Sequence, residues 1–216
     1  MPDLDTSLHL TMLENGRRKS SIYGLHWGDP DTAPHLKWVR DHYCLNFVNL
    51  NQTCIEIGPG GGRWTRYLLG FEKLYVVDYH QELLDELAKN FARPNIIAIK
   101  NSGTNFPGIP DQSIDFVFSF GVFVHLDLPL VIAYMAEIFR VLKPSGRAVI
   151  QYSDKTKPEA AANTGFSDLR PSIVRKAVID QGFFIENENL TVLPHSSIVQ
   201  FSRSTAALVR SQVIST

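Results

Sequence analysis

Residues 53–62 read Thr-Cys-Ile-Glu-Ile-Gly-Pro-Gly-Gly-Gly, and residues 74–79 read Leu-Tyr-Val-Val-Asp-Tyr. An apolar strand runs into a glycine-rich turn, a helix follows, and a second apolar strand ends in an acid. Glycine has no side chain and tolerates positive φ, so such a turn brings bare backbone close to a ligand. Asp78 stands about 20 residues beyond Gly58, the spacing at which the acid of a nucleotide-binding fold meets a ribose diol. The two strands therefore predict a site for a ribose-bearing cofactor.

The details of the turn narrow the cofactor. A dinucleotide fingerprint has the form Gly-x-Gly-x-x-Gly, and Arg63 occupies its third glycine position here. A phosphate-cradling loop needs Gly-x-x-x-x-Gly-Lys-Ser/Thr, a run absent from the chain. What stands instead is Glu56-x-Gly58-x-Gly60-x-Gly62. An acid just ahead of the turn sits badly beside a pyrophosphate but suits an ammonium or a sulfonium cation.

Working outward, apolar and amphipathic segments alternate. Strands are expected at 53–58, 74–78, 95–100, 114–120 and 147–152, and helices at 62–70, 80–91, 128–142 and 168–181. Continuous apolar strands suit a parallel sheet covered on both faces. The alternation implies one doubly wound, mostly parallel α/β sheet of about seven strands with helices on both faces. Residues 183–192 and 197–205 read as an antiparallel edge hairpin around Pro194. Upstream, Asp31 or Thr32 can cap a helix running to about Val48, with Leu36, Val39, Tyr43 and Phe47 on its apolar face. The polar loop 153–166 follows the fifth strand and reads equally as a lid over the site or as a mobile surface loop. The domain reading is an N-terminal segment and helix over 1–50, acting as a substrate cap, and a cofactor-binding domain over 51–216.

Composition bounds the class. The 216 residues are 44% hydrophobic and 20% charged, with a formal net charge of −1, so no global field attracts nucleic acid. The short run Arg17-Arg18-Lys19 reads as a solvated segment. The two cysteines, Cys44 and Cys54, make neither a disulfide framework nor a zinc site. The most apolar region, residues 114–139, is broken by Asp115, His125, Asp127, Pro129 and Glu137, so no membrane span is expected. No signal segment opens the chain, and a cytoplasmic location is expected.

Four motifs in order carry a family resemblance. Glu56-Ile57-Gly58-Pro59-Gly60-Gly61-Gly62 and Asp78 are followed by Ser113-Ile114-Asp115-Phe116-Val117-Phe118-Ser119 and Val141-Leu142-Lys143-Pro144-Ser145-Gly146-Arg147. Over residues 50–153 the chain resembles the class I S-adenosylmethionine-dependent methyltransferases of small-molecule type. The resemblance implies a Rossmann-like fold and S-adenosylmethionine as cofactor. It implies that Gly58, Gly60 and Gly62 pack against the methionine part and that Glu56 orients the turn or the cofactor ammonium. It implies further that Asp78 takes the ribose hydroxyls with Tyr79 near adenine, and that Phe120 and Gly121 lie near the sulfonium. After the third strand the family often shows Gly-Asp-Ala. This chain has Asn101-Ser102-Gly103 there, so adenine recognition falls to Asn101, Ser102 or backbone groups.

Methyl transfer asks the protein mainly for orientation, because the sulfonium already carries an activated methyl group. A hydroxyl acceptor also needs a base. His125 is the leading candidate, since a histidine's ordinary pKa near 6.5 suits proton removal at neutral pH. A structural role for His125 stays open beside that one. Tyr23, His26 and Trp27 are candidate substrate-binding residues if the N-terminus folds over the site, and Trp38 is a further pocket candidate. No catalytic metal is expected, because no His/Cys cluster and no Asp-Asn pair occur. Neither is the Pro-Pro motif of amino-directed nucleic-acid enzymes present. By elimination the expected acceptor is a small molecule or glycan hydroxyl. Alternatives are a non-catalytic module that binds the adenosyl cofactor and works through partners, and a nicotinamide oxidoreductase, which Glu56 and Arg63 disfavour.

Overall fold

The computed structural model describes residues 22–203. The Arg17-Arg18-Lys19 run lies outside the described residues. Seven strands form one sheet: β1 Thr53–Ile57, β2 Lys73–Asp78, β3 Ile96–Lys100, β4 Ile114–Ser119, β5 Leu142–Ser153, β6 Phe183–Asn189 and β7 Ser196–Arg203. Their order is β3-β2-β1-β4-β5-β7-β6. The first five run parallel, and β7 pairs antiparallel with both β5 and β6. The helices are α1 Pro34–Val39, α2 Thr65–Leu68, α3 Gln81–Asn90, α4 Leu128–Val141, α5 Pro158–Ala162 and α6 Pro171–Asp180.

Strand side chains point alternately to the two faces, and both faces are apolar and covered. Ile55, Ile57, Val77 and Val117 pack with Met135 and Ile138 of α4 and Val174 and Val178 of α6. Cys54, Val76, Phe116 and Phe118 pack on the other face with Leu36 and Val39 of α1, Leu68 of α2 and Leu84 and Leu87 of α3. The direction in which strands are added reverses between the parallel neighbours β1 and β4, which β2 and β3 separate in sequence. A crevice at the carboxyl ends of such strands is where ligands bind in open α/β sheets. No helix among the described residues is long and apolar enough to cross a membrane.

Three local readings differ from expectation. The long helix from Asp31 or Thr32 to Val48 is not one helix. It starts at Pro34, whose fixed φ and missing N–H suit the first helical position. Beyond Val39 the chain turns into a π segment over Arg40–Cys44 and a 3-10 turn over Leu45–Phe47. Neither Asp31 nor Thr32 caps it, and the Asp31 carboxylate instead accepts from Arg40 at 2.5 Å. The helix after the glycine turn is confined to Thr65–Leu68, because the turn extends through Gly62 at φ +102°. The 153–166 loop contains α5 and is pinned at both ends. Lys155 Nζ donates to the carbonyls of Ala160 and Asn163 at 2.8 Å, and Ser153 Oγ donates to Ser167 O at 2.7 Å.

Candidate active site at the switch point

The glycine turn leaves β1 directly into the crevice. Gly58 N donates to Val77 O at 2.8 Å, which seats the turn on β2. Gly58, Gly60 and Gly62 have φ of +68°, +56° and +102°. A Cβ on Gly58 would lie 2.0 Å from Val122 Cγ2, and one on Gly62 would lie 2.2 Å from Phe91 Cε2. These two positions are glycine for the protein's own close packing. At Gly60 the nearest atom is Cδ1 of Tyr23, at 3.3 Å, so the turn is roofed by the N-terminal segment.

Two buried carboxyl groups flank the turn. Glu56 is 2% exposed and its Oε2 accepts from Thr65 Oγ1 at 2.6 Å. Burial pushes its pKa up to about 8, the Thr65 bond opposes, and the charge of Asp78 adds to the rise. Asp78 ends β2 and is 7% exposed. Its Oδ1 accepts from His80 N at 2.9 Å. Burial raises it to about 7 against the backbone bonds of His80 and Tyr79, and Glu82 raises it further.

Between residues 79–82 and residues 100–102 lies a pocket of about 370 Å³. Tyr79 is half exposed on its rim, with its ring edge-to-face on His80. Asn101 N donates to Asp78 O at 3.0 Å, which joins the ends of β2 and β3. Asn101 Nδ2 donates to Gly103 O at 2.9 Å and meets Tyr134 Oη at 3.1 Å, and that hydroxyl donates to Gly103 O at 2.7 Å. The shared Gly103 carbonyl sets the amide's orientation and leaves Asn101 Oδ1 buried without a partner. Ser102 is exposed and its hydroxyl donates to Asn105 Oδ1.

Beyond β4 the chain reaches Phe120 and Gly121. Gly121 N donates to Gln151 Oε1 at 2.7 Å, and Gln151 Nε2 donates to Ser196 Oγ at 2.6 Å, so β5 and β7 hold this loop. His125 N closes a turn on Val122 O at 2.9 Å. His125 Nδ1 lies 2.8 Å from Gly165 O. A carbonyl only accepts, so Nδ1 carries the proton of the neutral ring and Nε2 carries the lone pair.

The N-terminal candidates gather on the other side. Tyr23 is buried against Gly60 and Gly61, and burial with the Asp78 charge pushes its pKa up to about 12. The ring of His26 lies 4.0 Å from that of Trp27, which is itself exposed, and the Trp27 ring stands edge-on to Tyr23. Ion pairs fix this segment: Arg66 of α2 bonds Asp29 and pairs with Asp31 at 3.4 Å. Trp38 is not with them; it stacks on His42 at 3.9 Å.

Sequence reasoning missed three residues. Tyr134 of α4 orders the Asn101 loop, and only the apolar spacing of α4 signalled its inward face. Arg63 is 8% exposed between Trp64 and Phe120, with its guanidinium 5.6 and 5.7 Å from their rings. His195 lies in the β6–β7 turn with its ring 5.5 Å from Phe166, which is 5.5 Å from His125.

A doubly wound sheet with a glycine turn and a ribose-spaced acid at its switch point defines a nucleotide-cofactor protein of Rossmann-like fold. Residues 55–150 match the family described as methyltransferase domain. No curated protein matches the chain in sequence. Among solved structures, an S-adenosylmethionine-dependent methyltransferase from Mesorhizobium loti superposes with a TM-score of 0.67 at 15% identity, covering 80% of this chain and 99% of its own. One from Clostridium acetobutylicum gives 0.67 at 12%, covering 83% and 97%. The glycopeptide N-methyltransferase MtfA gives 0.63 at 14%, covering 80% and 92%. At these identities the structures speak for the fold. The family match over residues 55–150, just under half of the chain, together with the shared fold supports a class I S-adenosylmethionine-dependent methyltransferase with S-adenosylmethionine as cofactor. The residues present fit that group: two buried carboxyl groups flank the glycine turn, and a buried amide oxygen beside the pocket lacks a donor.

Proposed function

We propose that the chain methylates a hydroxyl oxygen of a small molecule or glycan, with His125 as the base. The observation that carries this reading is the His125–Gly165 hydrogen bond, which puts the lone pair of the neutral ring on Nε2 at the carboxyl end of the sheet. When bound, the cofactor's sulfonium supplies the activated methyl group. The chain's residues bind, orient and deprotonate. Asp78 accepts the ribose hydroxyls and Glu56 faces the ammonium. Residues 101–103 and Tyr79 border the adenine, while the turn at Gly58, Gly60 and Gly62 carries the methionine part. Phe120 and Gly121 border the reacting centre, and Tyr23, His26 and Trp27 form the N-terminal cover over it, within residues 22–50, the described part of the expected 1–50 cap. Proton removal at Nε2 turns a poor nucleophile into a competent one. The buried, unpaired Cys44 and Cys54 support a reducing, cytoplasmic setting.

Turnover with hydroxyl, amine and carbon acceptors, read as S-adenosylhomocysteine release, tests the reading. Hydroxyl acceptors should dominate, and their turnover should depend on His125. Preference for amines, independent of His125, would replace O-methylation with N-methylation, the activity in the name of one structural neighbour.

A further inference from the structure

His125 is exposed, so the core does not fix its imidazole. An exposed ring without a partner exchanges between its two neutral tautomers and turns about its side-chain bonds. Here a distant segment holds it. Residues 163–167 follow α5 and return to the loop after β4. Gly165 O meets His125 Nδ1 at 2.8 Å, and the Phe166 ring stands nearly perpendicular to the imidazole, with centroids 5.5 Å apart and planes at 78°.

The segment is fixed on both sides of that contact. Ahead of it, Asn163 Oδ1 accepts from Gly165 N at 2.9 Å, and Lys155 Nζ donates to Asn163 O at 2.8 Å. Behind it, the buried Ser167 donates to Val124 O, from its N at 2.8 Å and from its Oγ at 3.2 Å. The Ser167 carbonyl in turn accepts from Ser153 Oγ at 2.7 Å. Val124 directly precedes His125, so the strap and the proposed base share an anchor. Phe166 is backed by a second ring. His195, from the turn between β6 and β7, lies 5.5 Å from it with planes at 68°. His195 is half-buried and burial lowers its pKa, so the backing ring is neutral at neutral pH.

We infer that Asn163 and Phe166 are positioning residues for His125: Asn163 presents the Gly165 carbonyl that keeps the ring proton on Nδ1, and Phe166, backed by His195, holds the ring plane. One tautomer and one orientation leave the Nε2 lone pair pointing in one direction. A base held so gives up less freedom on the way to the transition state. The inference deepens the reading of His125 as base and rests on it for any effect on turnover. The tautomer itself is readable without an acceptor.

The test is nitrogen NMR of isotope-labelled protein in alkaline buffer, where an imidazole is neutral. The His125 signals are assigned by their loss in His125→Asn. The parent should show one tautomer, with the proton on Nδ1. Phe166→Ala and Asn163→Ala should each mix the two tautomers. Phe166→Tyr and Asn163→Asp, which keep the ring and the acceptor, should retain the parent pattern. S-adenosylhomocysteine affinity should be unchanged in all four. Turnover on a hydroxyl acceptor should fall about tenfold in each alanine variant, with KM little changed. Asn163 is exposed, so its alanine variant decides the matter if Phe166→Ala does not fold. A proton on Nε2 in the parent overturns the inference. So does a tautomer indifferent to both alanine substitutions, whatever they do to the melting temperature. Failure of the base reading looks different: turnover is then indifferent to His125→Ala, while a tautomer that still follows Phe166 and Asn163 upholds the clamp.

Discussion

Glu56 and Asp78 stand at the carboxyl ends of adjacent parallel strands, and the charge of Asp78 adds to burial in raising the Glu56 carboxyl to about 8. Asp78 is itself raised to about 7. In the free protein both groups hold their protons well into the neutral range. A ligand that donates a diol to one and an ammonium to the other favours the charged forms of both.

Binding of S-adenosylhomocysteine is therefore expected to release protons near pH 6.5, and affinity should rise as pH climbs toward 8. Calorimetry in buffers of different ionisation enthalpy measures the release directly. No release at pH 6.5 would separate these acids from the cofactor.

The same shifts set a stability trend. Both folded-state values exceed their ordinary values, so the folded chain holds more protons than the unfolded one between about pH 4 and pH 8. The stabilisation is complete below about pH 4 and is lost as pH rises through the folded values. Asp78→Asn cannot ionise, so its stability relative to the parent should increase between pH 5 and pH 8.5, by ~1–4 kcal/mol. Denaturant titrations at the two pH values check this. The same variant should bind the cofactor about ten- to a hundredfold more weakly, because a carboxylate acceptor of two hydroxyl bonds is lost.

Gly58→Ala should destabilise the fold itself, since its Cβ would lie 2.0 Å from Val122 Cγ2. Overpacking of this kind costs about 1–3 kcal/mol, with backbone strain at φ +68° added. The double variant Gly58→Ala/Val122→Ala should recover the packing part only. Chemical denaturation of the three proteins is the measurement, and a neutral Gly58→Ala would contradict the packing assignment.

His125→Ala should lower turnover on a hydroxyl acceptor by ~10²–10⁴ and leave cofactor affinity nearly unchanged. His125 is exposed, so its removal opens no core cavity. Turnover and melting temperature belong on the same sample. Near-normal turnover would leave His125 as a loop tie to Gly165 and nothing more.

Much of this protein was legible before folding. The five parallel strands fall within two residues of expectation at every boundary except the start of β5, because their apolar runs need only local reading. That strand begins at Leu142 rather than 147, with an irregular register between Ile114 and Phe116. The tertiary partner β4 extended it through Lys143-Pro144-Ser145-Gly146, a stretch that reads as a turn. The N-terminal helix was misjudged for a related reason. Asp31 looked like a cap, but Arg66 of α2 and Arg40 of the π segment claimed it.

The amino-acid sequence by itself determined the sheet, the glycine turn, the acid Glu56 ahead of it and Asp78 at ribose spacing, since each rests on short stretches at a fixed separation along the chain. The folded structure alone decided what those residues experience. It showed that Gly58 and Gly62 serve packing against Val122 and Phe91, and that the acids are desolvated enough to hold protons near neutrality. It also brought Arg63 to Trp27 and Phe120. Burial and charge at a site are sums over segments far apart in the chain, and no local pattern of residues encodes them.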